Sequence, residues 1–89
     1  MAIIITYDIP SKHVDFKKAM FLKGFKEQIS GVNCKTIIFP NTTLYHASKT
    51  AVQARADAKA VSKQLSVDME RCIATIWDDW AAICGDPFN

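Results

Sequence analysis

The chain is sparing with the residues that define many protein classes. Three glycines, three prolines and an apolar share of 49% in 89 residues exclude a collagen-like rod, a linker and a disordered tail. No apolar run approaches the ~20 residues of a membrane-spanning helix; the longest strong one is Ile3-Ile4-Ile5. The opening Met1–Asp8 has neither a basic leader nor a small-residue cleavage site, so it reads as a strand and not as an export signal. Cytoplasmic location, with no membrane association, is the expectation. The three cysteines, Cys34, Cys72 and Cys84, are odd in number and form no C-x-x-C pair. That spacing argues against a disulfide framework and a four-ligand zinc site, and favours buried thiols in a reducing compartment. There is no glycine-rich phosphate loop, because Gly24, Gly31 and Gly85 stand alone. G-x-S-x-G and H-E-x-x-H are absent too. The formal net charge is only +2, so what matters for a polyanionic partner is whether the eleven Lys and Arg cluster.

What remains is one short chain with clear punctuation. Residues 2–8 are a continuous β-branched strand ended by Pro10, which cannot donate to a ladder. A helix follows over residues 13–23, capped by Ser11 or Asp15 and stopped at Gly24. It is apolar on two sides, with Val14, Phe21, Leu22 and Phe25 on one and Phe16, Ala19 and Met20 on the other. A two-layer domain needs one such side, so the surplus predicts a partner subunit or the chain's own tail against it. Residues 34–39 form the second strand, Pro40-Asn41 a turn, and residues 42–46 the third strand of a hairpin. Residues 49–65 lack Gly and Pro and repeat Ala51, Ala54, Ala58, Val61 and Leu65 at helical spacing. Residues 69–77 make the fourth strand, Asp78-Asp79 breaks it, and residues 80–84 add a short fifth strand or edge extension.

The order β-α-β-β-α-β predicts an α+β fold. The specific expectation is a single ferredoxin-like domain over residues 1–89, an antiparallel sheet with both helices on one face and a C-terminal extension. The other sheet face is then bare, and a second copy of the chain is the expected cover.

Few residues are placed to do chemistry. Asp8 ends the first strand where the backbone turns; such a carboxylate ligates a hard cation or caps a turn. Asp78 and Asp79 are neighbours and point to opposite faces of a strand, so they do not chelate as a pair; they read as strand-end carboxylates, as do Asp68 and Glu70. His13 and His46 have no spacing that supports a general base and read as exposed or tip-bonded. Arg55, Lys59 and Lys63 recur every four residues on the second helix, away from its alanine stripe, and Lys12, Lys17, Lys18, Lys23 and Lys26 crowd the first. Such rows neutralise phosphates or simply make a solvated face, and Asp57 and Asp15 interrupt them.

The stretch Tyr7-Asp8-Ile9-Pro10 after an apolar strand, in this element order, resembles the CRISPR-associated Cas-two family and its relatives, among them virulence-associated protein D. The resemblance covers most of the chain in element order and the first ten residues in motif. It implies a ferredoxin-like homodimer that binds RNA or DNA. It also implies metal-dependent phosphodiester hydrolysis, with Mg²⁺ held by Asp8 as the metal and catalytic residue. The family's Ser-x-Phe pattern in the second strand is replaced here by Thr36-Ile37-Ile38-Phe39. Two other readings stand beside it: a non-catalytic protein-interaction module, and a small-ligand binder using aromatic pockets near Tyr45, Trp77 and Trp80.

Overall fold

A computed structural model describes residues 1–31 and 34–84. Their elements are β1 (Ile3–Asp8), α1 (His13–Leu22), β2 (Gln28–Ser30), β3 (Thr36–Ile38), β4 (Thr43–His46), α2 (Ala51–Gln64) and β5 (Arg71–Ile76). The fold is α+β, with two helices and two antiparallel sheets among the described residues. β1 is the centre of a three-stranded sheet in the order β4-β1-β5, and β2 and β3 form a separate ribbon.

Alternation along β1 sets the layers. Ile3, Ile5 and Tyr7 point inward and are buried; Ile4, Thr6 and Asp8 point to the other face. Phe16 and Met20 of α1 and Ala54, Ala58 and Val61 of α2 join those β1 residues, with Leu44, in one core. Both helices therefore cover the same face of the sheet. The alanine stripe of α2 works as its spacing predicts: small side chains let the helix lie close on β1 and β5. A capping box starts α2, with the Thr50 hydroxyl accepting from the Gln53 N–H and the Gln53 side chain accepting from the Thr50 N–H.

α1 departs from the expected caps. Its N-cap is Lys12, in the left-handed region at φ 60°, and no side chain caps it; neither Ser11 nor Asp15 does so. Lys12 is held from outside the helix, because its Nζ donates to the Leu65 carbonyl at 2.8 Å, at the C-terminus of α2. A cation there meets the negative end of the α2 dipole. α1 ends as expected at Gly24. The Gly24 and Phe25 N–H groups donate back to the carbonyls of Phe21 and Met20, a turn that requires the φ of +91° found at Gly24. This turn, and not the helix face, carries Phe25 into the core. The two-sided helix thus resolves into a buried pair, Phe16 and Met20, and an exposed set of which Leu22 keeps 91% of its surface.

α2 ends in the same turn with a residue less suited to it. Ser66 sits at φ 56°, its N–H donating to Lys63 and that of Val67 to Ser62. Left-handed backbone is costly for any residue with a Cβ. Ser66→Gly should raise stability by about 0.5–1 kcal/mol, partly offset by the looser unfolded chain. A urea midpoint that moves the other way would show that the Ser66 side chain stabilises the turn.

The expected hairpin is a different one. Thr36–Ile38 pairs with Gln28–Ser30 and not with Thr43–His46. Gln28–Ser30 is a strand the sequence reading left out. β4 instead lines up on β1, with Leu44 opposite Ile5, because only that register puts Leu44 in the core. The turn Pro40–Thr43 separates β3 from β4, closed by Thr43 N–H to Pro40 carbonyl with Thr42 left-handed. One antiparallel bridge, Lys26 to Tyr45, joins the chain before β2 to β4. β5 matches its expected place, and the Glu70 and Trp77 N–H groups extend its ladder to Asp8 and Ala2 of the β1 side. Residues 80–84 form no strand.

The cysteine expectation is overturned. Cys34 and Cys84 form a disulfide with their Cα atoms 6.0 Å apart, and Cys72 is the free thiol. Fifty positions separate the pair, so local spacing carries no sign of it; the fold brings the ends together. The sheet face opposite the helices is not bare either. The Trp77–Cys84 segment lies along it, and Ile4, Thr6, Ile37 and Phe39 share a groove of about 650 Å³ with Ala81, Ala82 and Ile83.

Candidate functional site

Asp8 closes β1 on the face away from the helices. Its register partner on β5 is Arg71, whose Nε donates to Asp8 Oδ2 at 2.6 Å. The hydrogen bond and charge of Asp8 push the Arg71 guanidinium still higher than usual, so it stays charged. Both side chains are largely in solvent, where such pairs add little to stability. The sequence reading did not connect Arg71 with Asp8; the pair appears only once β1 and β5 are aligned.

That arrangement bears on Mg²⁺. The cation takes six oxygen ligands in a tight octahedron and usually draws on one or two carboxylates plus water and phosphate. Asp8 already faces a guanidinium, and among the described residues no three His, Cys, Asp or Glu gather into a metal-binding group. An ion at Asp8 would have to share that carboxylate with Arg71. Asp78 and Asp79 are exposed at the far end of β5, and Asp68 and Glu70 precede it; neither pair converges on Asp8.

The histidines do structural work. His46 Nδ1 accepts from the N–H groups of Ser48 and Lys49, each at 3.1 Å, and Nε2 lies 3.2 Å from the Lys23 carbonyl. Those partners select the neutral ring with its proton on Nε2, donating to Lys23. A Cβ on Gly24 would come within 2.9 Å of the same Nε2, so that glycine also makes room for the staple. His13 Nδ1 is buried without a hydrogen-bond partner among the described residues, as is the Tyr7 hydroxyl. Burial, with the negative charge of Glu27 adding to it, pushes the Tyr7 phenol far up, so it stays neutral.

Seven of the eleven cations fall into two groups. Lys12 is tied to Leu65, Lys17 pairs with Glu27 at 3.2 Å, Lys49 with Asp57, and Arg71 with Asp8. Asp57, which interrupts the α2 row in the sequence, is turned to Lys49 instead. Arg55, Lys59 and Lys63 are exposed and have no ion-pair partner among the described residues. They stand on successive turns, about 12 Å from first to last. Arg55 reaches toward β5, where its charge acts on the Cys72 thiol.

The structure brings Tyr45, Trp77 and Trp80 together. Trp77 and Trp80 stack at 4.5 Å with 24° between their planes, and Tyr45 and Phe39 meet Trp77 edge-on. The indoles cover each other's faces, so they do not frame a slot for a planar ligand. An open groove of about 890 Å³ runs beside them, past Lys26 and Gln28.

No protein-family model, no curated protein and no solved structure matches this chain. No helix of the described residues is long and apolar enough to cross a membrane.

Proposed function

We propose that the protein binds nucleic acid through the α2 row of Arg55, Lys59 and Lys63, as a cytoplasmic homodimer with a ferredoxin-like arrangement. The carrying observation is that these three cations are exposed, regularly spaced and without an ion-pair partner among the described residues, while four others are engaged within the chain. Unpaired cations release counterions when they meet phosphates; paired ones must first break a bond. The order β4-β1-β5, with Lys26 bridging to the outer edge of β4, supports the ferredoxin-like reading. The exposed Val14, Phe21 and Leu22 of α1 support the dimer. A labelled DNA or RNA duplex titrated with the protein at low salt tests the proposal, and absence of binding there would overturn it.

Phosphodiester hydrolysis with Mg²⁺ at Asp8 would be an addition to this reading. A two-fold axis would add the partner subunit's copy of the same carboxylate, and the Arg71 contact opposes the ion. The expected outcome is therefore that Mg²⁺ shifts the melting temperature of the wild type and of Asp8→Asn equally. A shift confined to the wild type, or Mg²⁺-dependent cleavage lost in Asp8→Asn, would place the metal at Asp8.

A further inference from the structure

The segment that follows β5 is fastened to the molecule in an unusual way. After Trp77, whose N–H donates to the Ala2 carbonyl, it has no strand or helix. Trp80 rests on Trp77, yet 42% of its surface is open, and Ile83 keeps 87%. So little buried area gives only a weak hydrophobic hold. Among the described residues the strong attachment is covalent: Cys84 is bonded to Cys34, which stands between β2 and β3, the ribbon whose Ile37 and Ile38 line the groove. Beneath the segment lie Ile4, Ile37 and Phe39, apolar groups on the face that the helices leave uncovered.

We propose that the Cys34–Cys84 disulfide is a reducible strap that holds the Trp77–Cys84 segment over the outer face of the sheet and releases it when a dithiol reductant is present. Cys84 is exposed and Cys34 partly so, which leaves the bond open to attack. A thiolate of the reductant attacks one sulfur, forming a mixed disulfide and expelling the other cysteine as a thiolate, which takes up a proton. The second thiol of the reductant then displaces the first cysteine. The chain gains two electrons and two protons, the reductant becomes a disulfide, and two free thiols remain.

The third cysteine stays out of this exchange. Cys72 shares the core side of β5 with Ala74, whereas the strap crosses the opposite face. Burial pushes its thiol up, against a smaller opposite effect of Arg55, so little thiolate forms near neutrality. The core does not depend on the strap, because none of its buried members lies beyond Val67. Release therefore frees the segment without unfolding the domain. A cytosolic disulfide is typically transient or redox-sensing, which an exposed bond of this kind fits.

Thiol titration of the denatured protein should find one free thiol before reduction and three after dithiothreitol. Reduction should move tryptophan emission to longer wavelength, increase quenching by acrylamide and raise binding of an apolar dye, while the far-ultraviolet circular dichroism stays unchanged. Cys84→Ser should show the reduced behaviour without reductant, and Cys72→Ser should respond as the wild type does. Three free thiols in the unreduced protein would overturn the proposal. So would reduced and Cys84→Ser proteins with the emission and dye binding of the oxidised form. Loss of the circular dichroism signal on reduction would overturn it as well, by making the bond a staple of the whole fold.

Discussion

Replacing Lys59 and Lys63 by Gln should remove most of the salt dependence of duplex binding. Three cations per subunit place about six phosphate contacts on a dimer, for a log–log slope of about −5. Between 50 and 200 mM salt, that slope weakens binding by roughly 10³-fold. The double substitution leaves the two copies of Arg55, a slope of about −2 and a loss of only about tenfold over the same range. The fold should not change, because both side chains are exposed and make no ion pair among the described residues. A slope equal in wild type and double variant, with circular dichroism unchanged, would assign the phosphate contacts elsewhere. Lys18, Lys23 and Lys26, also exposed or nearly so, would be the next surface to test.

Phe16→Ala should be the most damaging single substitution for stability. Phe16 is fully buried, its ring centroid 4.5 Å from that of Tyr7, and it is the largest of the completely buried side chains. Truncating a buried Phe costs about 3–5 kcal/mol, through lost transfer energy and the cavity left behind. A chain of this size has about 4–13 kcal/mol in all. The melting temperature should fall by roughly 15–30 °C, with urea unfolding displaced to match. Val52→Ala, on α2 and 64% exposed, is the control and should shift neither by much. A mild effect at Phe16 would mean that α1 can be repacked on β1, and that the layer assignment drawn from Tyr7 and Met20 is loose.

The two helices illustrate how much local pattern can say. The alanine stripe of α2 was readable because its period is purely local: Ala54, Ala58 and Val61 fall on one side whatever lies opposite. α1 was readable in place but not in orientation. Two apolar sides compete for one core, and the choice of Phe16 and Met20 depends on the sheet they meet. Phe25 was misread as part of that helix because its burial comes from the turn at Gly24.

The candidate site divides in the same way. Periodicity placed Arg55, Lys59 and Lys63 on one flank of a helix, and the structure keeps them there, exposed. Which cations are free was not legible, since Lys49 takes Asp57 and Lys17 takes Glu27 only in the folded chain. Asp8 was found at the end of its strand, but its neighbour was not. Arg71 lies sixty-three positions away and arrives only through the antiparallel register of β1 and β5.

By itself, then, the sequence determined the α+β class, the two helices, the β1 strand and the α2 cation row. These rest on hydrophobic period and on glycine or proline stops within a few residues of each other. Tertiary structure decided the pairing of β2 with β3, the Asp8–Arg71 contact, the aromatic stack of Trp77 and Trp80 packed beside Phe39 and Tyr45, and the Cys34–Cys84 bond. The pairing and the bond overturned what local pattern predicted. The physical reason is common to all four. Each depends on what a segment packs against, which the local hydrophobic period does not encode; even the short β2–β3 ribbon forms while Thr43–His46 pairs with β1.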